Sequence, residues 1–289
     1  MNPIGVHALV WREGWAPDEA EYAIRATKEA GYDFIEIPLL DPSSVDFAMT
    51  SKLLKRYRIT AACSLGLSFQ TDVSSDEPEI SEAGERHLMS ALEVTVGVGA
   101  RYLGGVVYSA MGKYLEPSSP QRRERAVEIL GRVARMAQRE GVDIGIEAVN
   151  RYESNIVNTA AQAVSLTRDI GEPNVFVHLD TYHMNIEEND MAAPVHACGP
   201  LLRYVHIGES HRGYLGTGTV DFGGFFRALT AVGYEGPIAF ESFSSEVISQ
   251  SFCSALAVWR DRWNDSMSLA THARSFLHTQ LVSAAHAKG

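Results

Sequence analysis

EGVDIGIE, residues 140–147, is the stretch on which the fold turns. Before it, residues 120–140 keep Leu130, Val133, Ala134 and Ala137 on one helical face. Gly141 suits the end of that helix, and the apolar run that follows closes on an acid, Glu147. The same phrase appears earlier as AGYDFIE (30–36) and later as VGYEGPIAFE (232–241). Each time a helix ends in glycine, a short step follows, and a β-rich run stops at a glutamate. Strands buried on both faces read as continuous apolar runs, so each phrase is a helix feeding a parallel strand.

Extending this reading in both directions predicts strands near 4–10, 33–39, 59–66, 101–107, 142–147, 174–180, 202–207 and 236–241. Amphipathic segments fill the gaps. In the first, Ala20, Ala23, Ile24 and Thr27 share a face, Pro17 suits the first turn and Gly31 the C-terminal end. Eight strands alternating with helices predict an α/β chain, a single (β/α)8 TIM barrel domain over 1–289. A doubly wound sheet is the competing architecture, but no G-x-G-x-x-G follows the first strand. The tail beyond Glu241 is longer than one helix. Its Leu256, Trp259, Trp263 and Phe276 predict extra C-terminal helices packed on the barrel or on a partner subunit.

Composition narrows the function classes. The 289 residues are 45% hydrophobic and 21% charged, with a net charge of −11. Such a balance argues against broad nucleic-acid binding, which runs on phosphate neutralisation by basic surface. The three cysteines form no C-x-x-C pair, so neither a disulfide framework nor a structural zinc site is expected. No apolar run reaches the ~20 residues of a membrane span. The N-terminal stretch shows no secretory pattern, and a cytoplasmic location is expected. No G-x-S-x-G elbow, P-loop or H-E-x-x-H is present.

Barrel chemistry sits at the C-terminal ends of strands. Strand five ends in Glu147, strand six in Asp180 and strand eight in Glu241, while strand seven carries His206. Three carboxylates gathered at one mouth repel one another unless a cation sits among them. An oxygen-rich set with one imidazole and no sulfur suits Mn²⁺, Mg²⁺ or Co²⁺ better than structural zinc. Polar residues follow each of these positions on loops where substrate groups would lie: Asn150, Arg151 and Glu153, then Tyr182 and His183, then Glu209, His211 and Arg212. His178 is read as a packing or orienting group, His7 as pocket floor, and His272, His278 and His286 as surface residues. GTG at 216–218 reads as a flexible loop.

IEAVNRYE (146–153), HLDTYHMNIEE (178–188), VHIGESHRG (205–213) with GTGTVDF (216–222), and FESF (240–243) together resemble the D-tagatose 3-epimerase family of ketose 3-epimerases, within the xylose-isomerase-like barrels. The resemblance runs from IGVHALVW to VWRD (258–261). It implies one divalent metal per subunit, Mn²⁺ first with Co²⁺ or Mg²⁺ as alternatives, on Glu147, Asp180, His206 and Glu241. It implies that Glu153, His183 and Arg212 hold the O1–O2 end of a free ketose. It also implies a homodimer or homotetramer. His7, Ser64 and the Tyr108–Met111 segment stand where the distal carbons would lie, and their character leans towards L-ribulose, with D-tagatose and D-psicose also turned over.

C3 epimerisation needs a proton taken from one face and returned on the other. The metal acidifies that proton by stabilising a cis-enediolate. Glu147 and Glu241, from strands three places apart, can reach both faces as general acid and base. An aldose–ketose isomerase of the same fold and a non-catalytic sugar-binding barrel remain open alternatives. An abasic-site endonuclease would need more histidines and a basic groove.

Overall fold

Eight parallel strands hydrogen-bond in sequence order and close on themselves, β1 (Ile4–His7), β2 (Phe34–Pro38), β3 (Thr60–Leu67), β4 (Tyr102–Ala110), β5 (Asp143–Glu147), β6 (Val175–Asp180), β7 (Leu202–Ile207) and β8 (Ile238–Phe240). This computed structural model describes residues 2–287. The predicted barrel is therefore found, and its strands fall within the predicted spans to a residue or a few at each end.

Two strands, β1 and β8, fall short of their predicted spans by the most. β1 stops at His7 because His7 Nδ1 accepts the amide of Leu9, and the amides of Trp11 and Arg12 both turn back to Ala8 O. Residues 8–10 thus form a 3-10 turn rather than strand. β8 begins only after Pro237, which has no N–H to give the ladder.

The helices between strands form the outer ring: α1 (Pro17–Glu29), α2 (Phe47–Tyr57), α3 (Pro78–Val98), α4 (Pro120–Arg139), α5 (Ala160–Ile170), α6 (Thr181–Glu187), α7 (Ala193–Cys198) and α8 (Phe222–Ala231). α4 starts where Ser119 Oγ accepts the amide of Arg122, and it buries Leu130, Val133, Ala134 and Ala137 as the spacing predicts. The tail supplies the expected extra helices, α9 (Gln250–Ala255) and α10 (Ser266–His286). α10 packs beside α8, and the Tyr32 hydroxyl donates to Ala270 O at 2.8 Å. Trp263 is buried in the main core, whereas Trp259 is 70% exposed. Among the described residues no helix is long and apolar enough to cross a membrane.

The lower barrel is filled by Phe34, Ala62, Tyr102, Tyr204 and Ala239, with the Tyr102 and Tyr204 rings stacked at 4.2 Å. Gly145 makes room for this layer: a Cβ there would lie 1.8 Å from the Tyr102 hydroxyl oxygen. The parallel register then fixes what stands above. Asp180 pairs with His206, Glu147 with His178, and His7 with Glu36. Side chains needed at the mouth are set there by the ladder itself.

Candidate active site

The ends of β5, β6, β7 and β8 converge on one imidazole. His206 Nδ1 lies 3.3 Å from Glu147 Oε1, 3.7 Å from Glu241 Oε1 and 3.9 Å from Asp180 Oδ2. That nitrogen is buried and has no hydrogen-bond partner in the protein. A buried polar atom is costly to leave without a partner, and three carboxylates around this one make it suited to a cation. Glu147, Asp180 and His183 also form a group whose ligand atoms lie within 4.8 Å, as do Asp180, His206 and Glu241. Donor chemistry, convergence and the orphaned nitrogen all fit a divalent cation held by Glu147, Asp180, His206 and Glu241.

His206 is oriented from behind. Its Nε2 sits 2.7 Å from Glu36 Oε2, and the Tyr204 hydroxyl donates to the same oxygen at 2.6 Å. Glu36 is fully buried in the middle of β2. Burial opposes its charge, but the His206 imidazole holds its carboxyl well below the usual range. This carboxylate–histidine arrangement directs Nδ1 towards the mouth. Sequence reasoning did not assign Glu36 a role, although a signal was present: it closes the first phrase as Glu147 and Glu241 close the others. We expect Glu36→Gln to weaken divalent-metal affinity about 10–100-fold, measured by titration calorimetry or chelator competition. Unchanged affinity would mean that Glu36 is packing alone.

A second group faces the same space. His183 Nδ1 accepts the Asn150 amide at 3.1 Å, so its proton sits on Nε2. Nε2 lies 3.7 Å from Asp180 Oδ2 and 4.0 Å from Glu153 Oε2. Burial, then the Arg212 charge, hold His183 well below its ordinary pKa, so it stays a neutral donor. Asn150 also donates to Glu153 Oε1 at 2.9 Å. Arg212 pairs with Glu241 Oε2 and lies 3.5 Å from Asp180 Oδ2, its guanidinium 3.8 Å from the Tyr182 ring and 4.8 Å from that of Phe243.

These contacts split the carboxyls. Burial raises Glu147 to about 7, helped by Glu241 and Asp180 and opposed by His206. Glu241 is just as buried, yet Arg212 and His206 outweigh burial and hold it below its ordinary value. Burial would lower His206, but Glu36 and Glu241 push it well above. The side chains alone thus set one carboxyl able to carry a proton near neutrality beside one kept ionised, the usual arrangement of an acid and a base.

A cleft opens above this group. His7, Ser64, Glu147, Glu153, His183, His206, Arg212 and Glu241 are among its polar lining, and Leu9, Leu40, Met111, Phe252 and Leu256 among its apolar lining. All the predicted site residues line it except Asp180, which lies fully buried beneath.

Other expectations need correction. Tyr108 does not reach the cleft, because its hydroxyl is turned to the carbonyls of Glu147 and Val157. Glu209 faces its own loop and accepts the amides of Ser210, Gly216 and Val220. Its carboxylate ties the GTG loop down. Arg151 is spent on an ion pair with Glu187 at 2.8 Å. His211 lines a neighbouring cleft, bonded to Gly213 N and Thr217 Oγ1. His178, as predicted, packs in the barrel between Tyr204 and His206. Phe252 and Leu256 reach the cleft from α9 and just after it, where no strand-end rule could place them.

Known proteins resemble this chain in sequence and fold. The family model described as "Xylose isomerase-like TIM barrel" matches residues 24–269. The ketose 3-epimerase of Arthrobacter globiformis is 46% identical over 279 residues, covering 96% of each chain. An L-ribulose 3-epimerase of Methylomonas sp. (strain DH-1) is 50% identical, covering 94% of this chain and 96% of its own. A crystal structure of D-allulose 3-epimerase from Methylomonas sp. in complex with D-allulose superposes with a TM-score of 0.95 at 49% identity, covering 96% of this chain and 97% of that one.

Proposed function

Since this chain belongs to the xylose isomerase-like TIM barrel family, we propose that it is an isomerase that inverts C3 of free ketoses with one divalent metal, Mn²⁺ foremost, at Glu147, Asp180, His206 and Glu241. The observation that carries the reading is the pair of unlike carboxyls, Glu147 and Glu241, meeting at His206 from β5 and β8. The names of the relatives support the ketose class.

The bound metal supplies a Lewis acid that polarises the ketose carbonyl and makes the neighbouring C3–H acidic. Arg212, His183 and Glu153 hold the O1–O2 end. His183 donates from Nε2 to a substrate oxygen, and Asn150 fixes that tautomer from behind. One glutamate takes the C3 proton as its C–H electron pair moves into the C2–C3 bond and the carbonyl π pair moves onto O2. The other glutamate then returns a proton to C3 on the opposite face, and the carbonyl re-forms. No co-reactant is consumed. A proton taken by one side chain and given by the other is redistributed through solvent before the next turnover.

Beyond the residues given to the metal and the O1–O2 end, the lining is mostly apolar, with Leu9, Leu40, Met111, Phe252 and Leu256, and leaves His7 and Ser64 as polar groups for the distal carbons. That suits pentuloses and hexuloses together, and we favour L-ribulose, with D-tagatose and D-psicose also accepted. The test is a panel of L-ribulose, D-tagatose and D-psicose incubated with Mn²⁺, with products resolved chromatographically. L-xylulose, D-sorbose and D-fructose should appear without any aldose. An aldose product, or no conversion of any ketose, would overturn the reading.

A further inference from the structure

We propose that Ser242 and Trp263 clamp the backbone of Arg212, so that a residue of the C-terminal tail positions the guanidinium at the ketose end of the cleft.

Arg212 has φ +58°, in the left-handed region that non-glycine residues avoid. Arg58 and Ala257 share this feature, but both stop a helix, where such a conformation is an ordinary terminator. Arg212 follows β7 in an open loop and ends no helix. An arginine persists in that region only where its surroundings over-determine it. Here both backbone groups are held. Its N–H donates to Glu209 O at 2.9 Å, and its carbonyl accepts the Ser242 hydroxyl.

Ser242 stands just past β8, fully buried. Its oxygen also accepts the indole N–H of Trp263 at 2.7 Å. A hydroxyl can donate and accept at once, so a single atom relays the tail to the loop. Trp263 is itself fixed, since its carbonyl accepts from Ser244 Oγ at 2.8 Å and its ring lies in the main core. The tail thus crosses back over the end of β8 and holds the loop after β7. With the backbone so held, the guanidinium lies between the Tyr182 and Phe243 rings and pairs with Glu241. Ser242 and Trp263 do not line the cleft. They are positioning residues, acting through Arg212.

The inference rests on Arg212 as the sugar-holding side chain, and its test separates the two ideas. Ser242→Ala should raise KM for L-ribulose on the order of tenfold, as for a lost buried hydrogen bond. Its Mn²⁺ affinity should change less than KM does, because the Ser242 hydroxyl bonds Arg212 O and the Trp263 indole rather than a proposed ligand. Trp263→Phe keeps the ring bulk, removes only the N–H, and should shift KM less in the same direction. In an Arg212→Ala background, Ser242→Ala should change KM by less than about twofold, since nothing is left to position. A full additive effect there, or an unchanged KM in the single variant, overturns the clamp. Should the wild-type chain turn over no ketose, the functional reading fails and the clamp is judged by crystallography. Arg212 still at positive φ and on Glu241 in the Ser242→Ala structure overturns it; relaxation of that backbone supports it.

Discussion

Removing divalent metal by chelation will bring ketose turnover to background, and Mn²⁺ or Co²⁺ will restore it. The argument starts from His206. Its Nδ1 is buried without a hydrogen-bond partner, and oxygens of three carboxylates stand 3.3 to 3.9 Å away. A Lewis acid at a polarised carbonyl contributes several kcal/mol, so the loss should be at least ~10²-fold. Reloading carries a pH signature. The metal must displace protons from Glu147, which burial raises to about 7, and from His206, which its carboxylate neighbours raise further. Affinity should therefore fall as pH drops through about 7. The stability of the metal-free chain runs the other way. Because Glu147 binds its proton more tightly folded than unfolded, its contribution is present below its ordinary 4.5 and is lost as pH rises through about 7. Thermal unfolding of chelated and Mn²⁺-loaded protein across this range checks both signs. Full activity in a metal-free preparation would remove the metal from the reaction.

Most of this centre was legible because the barrel ties chemistry to a position the sequence marks. A strand that ends in an acid announces itself, and Glu147, Asp180, His206 and Glu241 each close or nearly close an apolar run. Glu36 did so too. What hid its role is that β2 lies across the barrel from β7, and only closure brings Glu36 within 2.7 Å of His206 Nε2. The loops were less legible for a related reason. Glu209 and Arg212 are three residues apart in one polar stretch, yet one carboxylate is consumed by three backbone amides and the other side chain reaches the cleft. That outcome depends on backbone turns with no periodicity to reveal them. The tail was legible as helices but not as parts of the site, since Phe252 and Trp263 act through contacts with residues far from them in sequence.

The acid pair gives the sharpest expected result. Glu147→Gln and Glu241→Gln should each cut epimerisation by at least ~10²-fold, the lower range for losing a positioned acid or base. Glutamine keeps the shape and one oxygen, so metal content, measured separately, should largely survive. Glu241→Gln also weakens the hold on Arg212, which retains Asp180 at 3.5 Å, so KM should rise more in this variant than in Glu147→Gln. Solvent exchange then separates the two faces. In D₂O, a variant with one remaining glutamate can still abstract the C3 proton facing it and return deuterium to that same face. It should label one epimer without converting it, and the two variants should label opposite members of the L-ribulose and L-xylulose pair. The same epimer labelled by both would mean that one group serves both faces or that a third group takes part. A metal-loaded variant that epimerises at the wild-type rate would exclude that glutamate as acid or base. Deuterium found only at C1 would move the chemistry to an aldose–ketose shift, for which proton transfer between C1 and C2 needs no base on the far face of C3.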